Sequence, residues 1–161
     1  MAVKYSKDWW AEQRPEVIGK ETEKLVEQVF TKWNRYSCWA SHRLPDAKSA
    51  RGRVKAQPAD TMYRCGDRAG FIEIKALKHL FRLPAERVSQ HAVLAKWTLA
   101  GSSDLVLVHH YLEPGWRVVK VSELPFGVPS WNLQHLPMFE SAEAALLSTG
   151  FFEGVRNAER R

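Results

Sequence analysis

Between Pro15 and Arg35, Leu25, Val26, Val29, Phe30 and Trp33 recur at three- and four-residue intervals, which predicts a helix with one apolar stripe. The period then changes. "YSCWASHR" (36–43) predicts a strand, and "LPDAKSARGRVKAQPA" (44–59) a polar, basic loop with proline near both ends. "DTMYRC" (60–65), the four-residue loop 66–69 and "GFIEIKA" (70–76) predict a β-hairpin. Pro84 opens and Gly101 closes a second helix. A second hairpin follows from "DLVLVHHY" (104–111) and "WRVVKV" (116–121), then a short helix in "ESAEAALLSTG" (140–150). The tail "VRNAERR" is expected to fray. The order α-β-β-β-α-β-β-α predicts one α/β or α+β domain over 1–161, with a mixed sheet flanked by helices. Its core spans about 15–121, and 122–161 forms a C-terminal extension with a short helix.

Composition sharpens this only slightly. At 161 residues, 45% hydrophobic and 26% charged, the chain is long enough for a real core and unlike a disordered one. No apolar run approaches the ~20 residues that span a bilayer, and the first residues lack a signal core, so a cytosolic protein without a membrane partner is expected. In that compartment Cys38 and Cys65 read as free thiols, and His109 and His110, on opposite faces of a strand, as structural. Charge adds more. Between Arg35 and Lys55 six basic residues (Arg35, Arg43, Lys48, Arg51, Arg53, Lys55) stand against Asp46 alone, an excess of five in a chain of net charge +6. Such a stripe fits nucleic acid, or else is a solvated basic loop.

Candidate chemistry lies in the first hairpin. Alternation puts Phe71, Glu73 and Lys75 on one face of the strand and turns Ile72 and Ile74 into the core. With a four-residue loop, Met62 faces Glu73 and Asp60 faces Lys75, so Asp60, Glu73 and Lys75 converge at one end of the hairpin. Two carboxylates offer hard oxygen ligands for Mg²⁺ or Mn²⁺, and Lys75 a cation for an attacking water or a charged phosphate. The plainer alternative is an Asp60–Lys75 ion pair with Glu73 solvated on an open sheet face.

"PAD" (58–60) followed thirteen residues later by "EIK" (73–75) resembles the PD-(D/E)XK nuclease superfamily, and within it the RecU-type Holliday junction resolvases. Further matches are Leu83-Pro84, eight and nine positions after Lys75, and His91, sixteen after it. Upstream, Gly19 to Glu23 matches a Gly-x-x-x-Glu at the start of the family's first helix. The family often places Gln after that histidine, whereas here Gln90 precedes it. Glu23 borders the apolar stripe, so it is better placed than Glu21 or Glu27, further round toward solvent, to reach the sheet; otherwise it is a solvated flank residue. On the second helix Arg87, Gln90, His91 and Leu94 share one face, where Arg87 and His91 contact phosphate or His91 is simply a hydrogen-bonded helix residue.

The resemblance implies a restriction-endonuclease-like fold and a homodimeric, Mg²⁺- or Mn²⁺-dependent endonuclease cutting branched DNA such as four-way junctions. It implies that Asp60, Glu73 and Glu23 bind metal and Lys75 positions the water. Arg43, Lys48, Arg51, Arg53, Lys55, Lys78, Arg82, Arg87, Gln90 and His91 are the candidates for DNA contact. Only thirty-seven positions separate Glu23 from Asp60, shorter than the RecU stalk region. That leaves room for a nuclease of duplex ends or nicks, and the basic surface alone for a non-catalytic DNA-binding module. Asp46, in "LPD", ranks below Asp60 as the acid.

Overall fold

A computed structural model describes residues 2–46, 57–79, 81–113 and 115–161. The basic residues Lys48, Arg51, Arg53 and Lys55 lie outside them. Helix α1 (Lys7–Ala11), capped by Ser6 Oγ, which accepts from the Trp9 N–H at 3.2 Å, precedes α2 (Pro15–Trp33), whose first residue is proline. Strands β1 (Trp39–Arg43), β2 (Thr61–Cys65) and β3 (Arg68–Leu77) follow, then β4 (Arg82–Pro84) and α3 (His91–Leu99). The chain continues through β5 (Leu105–His110), β6 (Gly115–Lys120), β7 (Ser130–Asn132), α4 (Ala142–Leu147) and α5 (Glu153–Glu159).

The main sheet runs β1-β2-β3-β5-β6, with β3 and β5 parallel and every other pair antiparallel. A parallel pair needs a long crossover, and 78–104, containing α3, supplies it. At the start of that pair the backbones nearly touch. A Cβ on Gly70 would meet the Ser103 carbonyl oxygen at 2.0 Å, so only glycine fits there. The Ser103 N–H donates to Ala69 O at 2.9 Å, and the buried Tyr63 hydroxyl donates to Ser103 O at 2.6 Å.

Both faces of the sheet are covered. Ile72, Ile74, Leu105 and Leu107 pack on one side against Val26, Phe30 and Trp33 of α2, Leu146 of α4 and Val155 of α5. On the other, Phe71, Leu77, Val106 and Val108 meet Leu94 of α3, with Leu83, Trp131 and Leu133. A parallel strand between two layers is expected to be apolar throughout, and all of β5 is buried. Its two histidines are structural: His109 stacks on Trp116 at 4.2 Å, and His110 hydrogen-bonds His79 O and Arg117. Cys38 and Cys65 are free thiols. No helix of the described residues is long and apolar enough to cross a membrane.

Several expectations change. The hairpin turn is two residues, not four: Cys65 pairs with Arg68 across Gly66 and Asp67, and the positive φ of Gly66 (63°) permits the tighter turn. The second helix begins at His91, not Pro84. Leu83 pairs with Trp131 in a two-stranded sheet, and Ala85–Arg87 form a 3₁₀ turn, so pairing with distant chain holds 82–87 out of the helix. The tail is not frayed, because α5 buries Val155 in the first core. Residues 122–161 supply Leu124, Trp131 and Leu133 to one core layer and α4 and α5 to the other. Glu21 does not face solvent. The N-terminal segment covers it, Tyr5 donates to it at 2.7 Å, and that hydroxyl, with Lys24, holds its carboxyl down near 2.

Candidate active site

The face of β3 that carries Glu73 and Lys75 is not an open sheet surface. Glu73 is only 7% exposed, and Lys75 is half-buried at the end of the strand. The register Thr61↔Ile72, carried one residue further, sets Asp60 across from Glu73 rather than Lys75. A two-residue slip preserves the side of the sheet, so the three residues still meet. Asp60 lies just outside β2, and its Oδ2 accepts from the Ile74 N–H at 2.7 Å. Glu73 in turn accepts from the Asp60 N–H, and its Oε1 lies 2.5 Å from Lys75 Nζ. The expected Asp60–Lys75 pair is therefore a Glu73–Lys75 pair, with Asp60 tied to the backbone of the same strand.

Burial sets the electrostatics. Desolvation is the largest cause raising the Glu73 carboxyl, the charge of Asp60 adds to it, and Lys75 offsets only part; the group is pushed up to about 7. Burial likewise raises Asp60, against the Ile74 N–H and Lys75. Glu23 is raised by burial and then by Asp60. The charge of Asp60 thus bears on both Glu73 and Glu23, across a cleft of about 400 Å³ whose walls include Glu23, Arg43, Asp60, Glu73, Lys75 and Gln90. Asp46 lines it too and helps raise Asp60. Its "LPD" setting, like the "PAD" of Asp60, was the sequence signal for it.

Glu23 reaches the cleft from α2, where Arg43 of β1 grips it together with Glu27, the latter at 2.8 Å. Arg43 thus faces acids on α2 in this state. Arg87 is exposed and donates to Ala76 O at 3.1 Å, and with Lys78 it lines a second depression that shares Glu23, Asp60 and Lys75 with the first. Arg82 is exposed on β4. His91 does not join them and does not face a phosphate site. It is buried in the second core layer, with Nε2 3.1 Å from Leu124 O and its ring against Phe126 and Trp131, and burial lowers its pKa. Gln90, one residue earlier, lines the acidic cleft instead. The shared helix face expected for Arg87, Gln90 and His91 fails because 87–90 precede the helix.

Among the described residues no three Asp, Glu, His or Cys side chains come together as a closed ion cage. Asp60 and Glu73 fit a hard divalent cation differently. They are two oxygen donors at the foot of an open cleft, each destabilised by burial, and the remaining ligands would be water and phosphate, as magnesium commonly takes them.

A mixed sheet with β3 and β5 parallel at its centre, helices on both faces and an acidic cleft at the hairpin end is the restriction-endonuclease-like architecture. Among solved structures sharing it is Archaeoglobus fulgidus Hjc, a Holliday junction resolvase from an archaeal hyperthermophile. The match has a TM-score of 0.53 and 23% identity over 79% of this chain and 99% of that one, a likeness of fold. No protein-family model and no curated protein sequence matches the chain.

Proposed function

We propose that this protein is a divalent-metal-dependent DNA endonuclease selective for branched DNA, with four-way junctions as its main substrate and a homodimer as its working form. The observation that carries the reading is the buried Asp60–Glu73 pair with Lys75 against it in an open cleft. The fold shared with a Holliday junction resolvase supports it. The closer resemblance to RecU-type enzymes rests on motif spacing alone.

Asp60 and Glu73 would hold Mg²⁺ or Mn²⁺, with Glu23 joining through water once Arg43 lets it go. The ion supplies a more acidic water and a positive charge beside the phosphate. Lys75 orients the attacking water and offsets the charge that builds as a new P–O bond forms and a bridging one breaks. Lys78, Arg82 and Arg87 hold phosphates on the strand leaving the cleft, and Arg43 and Gln90 flank its mouth. Affinity should fall steeply with salt.

The test offers junction, linear duplex, flap and single-stranded DNA in parallel to wild type, Lys75→Ala and Glu73→Ala, with and without Mg²⁺. Metal-dependent cutting of the junction by wild type alone, with junction binding retained by both variants, is expected. Equal cutting of linear duplex overturns junction selectivity and favours an enzyme of ends or nicks. Binding without cutting by all three proteins leaves a DNA-binding module.

A further inference from the structure

The acidic cleft continues past Lys75. The second depression, about 320 Å³, shares Lys78 with a third of about 580 Å³ whose walls include Phe81, Arg82 and Lys7. Depressions with shared walls thus lie in sequence from the acidic cleft, through Asp60, Lys75 and Lys78, to Phe81. Among the described residues of 78–82 there is no acid, and Lys78, His79 and Arg82 are all exposed. The acid on the groove's far wall, Glu113, is paired with Lys7 at 3.5 Å. Past the acidic cleft, the groove is cationic.

Phe81 stands out within it. Phe30, Phe71 and Phe152 are in the cores, whereas Phe81, like Phe126, is exposed, at 45%. Its backbone is not loose: Phe81 O accepts from the Leu133 N–H at 2.8 Å, and the next two residues pair with Asn132 and Trp131. The Arg117 guanidinium lies 6.0 Å from the ring centroid. The result is an aromatic ring on a fixed backbone, half open to a cationic groove. Duplex DNA covers its base faces by stacking, so such a ring offers it little. An unpaired base has a free face, and aromatic rings among cations are how proteins hold single strands.

We propose that Phe81 is a stacking platform for an unpaired nucleobase of the strand running through this groove, with Lys78 and Arg82 on the adjoining phosphates. The inference rests on the nuclease reading and deepens it. Six residues of chain reach at most about 20 Å, so Phe81 lies within roughly six nucleotides of Lys75 at ~3.4 Å per nucleotide. The enzyme would sense strand unpairing close to the bond it cuts.

The test measures binding by fluorescence anisotropy in EDTA, where cleavage plays no part, for the full chain and Phe81→Ala, Phe81→Leu and Phe81→Trp. The ligands are a single strand, a junction and a linear duplex, the first two carrying 2-aminopurine. Alanine and leucine should each weaken single-strand and junction binding about 5-fold or more, leave duplex binding within about 2-fold, and lose the 2-aminopurine quenching that tryptophan keeps. Leucine preserves apolar packing, so its loss separates stacking from folding. Equal losses on duplex and junction, or no loss, overturn the platform while leaving the nuclease reading intact if wild type still binds and cuts. Wild type binding none of the three DNAs overturns both.

Discussion

Asp104 and Glu73 are both buried carboxylates, on the two parallel strands of one sheet or at their ends, and the fold treats them in opposite ways. Asp104 is completed by the protein. Its Oδ1 accepts from the Phe71 N–H at 2.8 Å and the Ser102 hydroxyl at 2.6 Å, and its Oδ2 from the Thr98 hydroxyl at 2.6 Å. Those donors bind the end of α3 and the turn after it to β3, so Asp104 fixes the crossover. Glu73 has Lys75 and one backbone N–H, but it also faces a second acid, and the cleft beside it is open. The difference separates a carboxylate that the fold completes from one that it leaves incomplete, as the proposed metal site requires.

Removing the completed acid should have the largest effect. Asp104→Ala strands three donors in a buried network, at about 3–5 kcal/mol of stability, read from the shift in urea midpoint. A loss under about 1 kcal/mol would mean that the network is no stronger than a surface pair.

The incomplete acid should respond with the opposite sign. The folded protein raises Glu73 from 4.5 to about 7, so between those values it binds more protons than the unfolded chain. Its stability therefore falls as pH rises through that window and levels off above 7. Glu73→Gln removes this cost. Relative to wild type it should gain up to about 3 kcal/mol at pH 8 and nothing at pH 4, measured by thermal unfolding without metal. Adding Mn²⁺ should raise the wild-type Tm more at pH 8 than at pH 5, because cation and proton compete, and should leave Glu73→Gln nearly unmoved. A pH-independent difference between the two proteins would sink the comparison.

The smallest effect concerns Gly19, in the second turn of α2, on the wall of the second depression. A Cβ there would meet nothing within 4 Å, so packing does not require glycine. Gly19→Ala should stabilise the helix by about 0.5–1 kcal/mol, seen as a Tm rise. If the depression carries DNA, the same methyl should weaken junction binding while the fold improves.

The acid–lysine cluster was legible because strand parity tolerates a loop error of two residues: Asp60 changes partner from Lys75 to Glu73 yet stays on the same side. Periodicity also found α2 and both hairpins, where the apolar pattern is local. It missed what distant chain decides. Leu83 and Trp131 pair across almost fifty residues, and that contact withholds Pro84 from the helix, buries His91 and leaves Gln90 at the cleft. Glu21 was misjudged for the same reason, since Tyr5 covers it only once the N-terminal segment folds back. The packing of Trp131 of β7 into the core layer on the Glu73 side of the sheet had no local signal either.

Thr22, next to Glu23 on α2, meets Nδ1 of His109 on β5 at 2.9 Å. Burial drives that imidazole down to about 3, so it stays neutral while Glu73 gains or loses its proton near 7. The helix bearing Glu23 is thus bolted to the sheet by a fastener that does not feel the chemistry beside it. Charge in the cleft can be rewritten without loosening its walls.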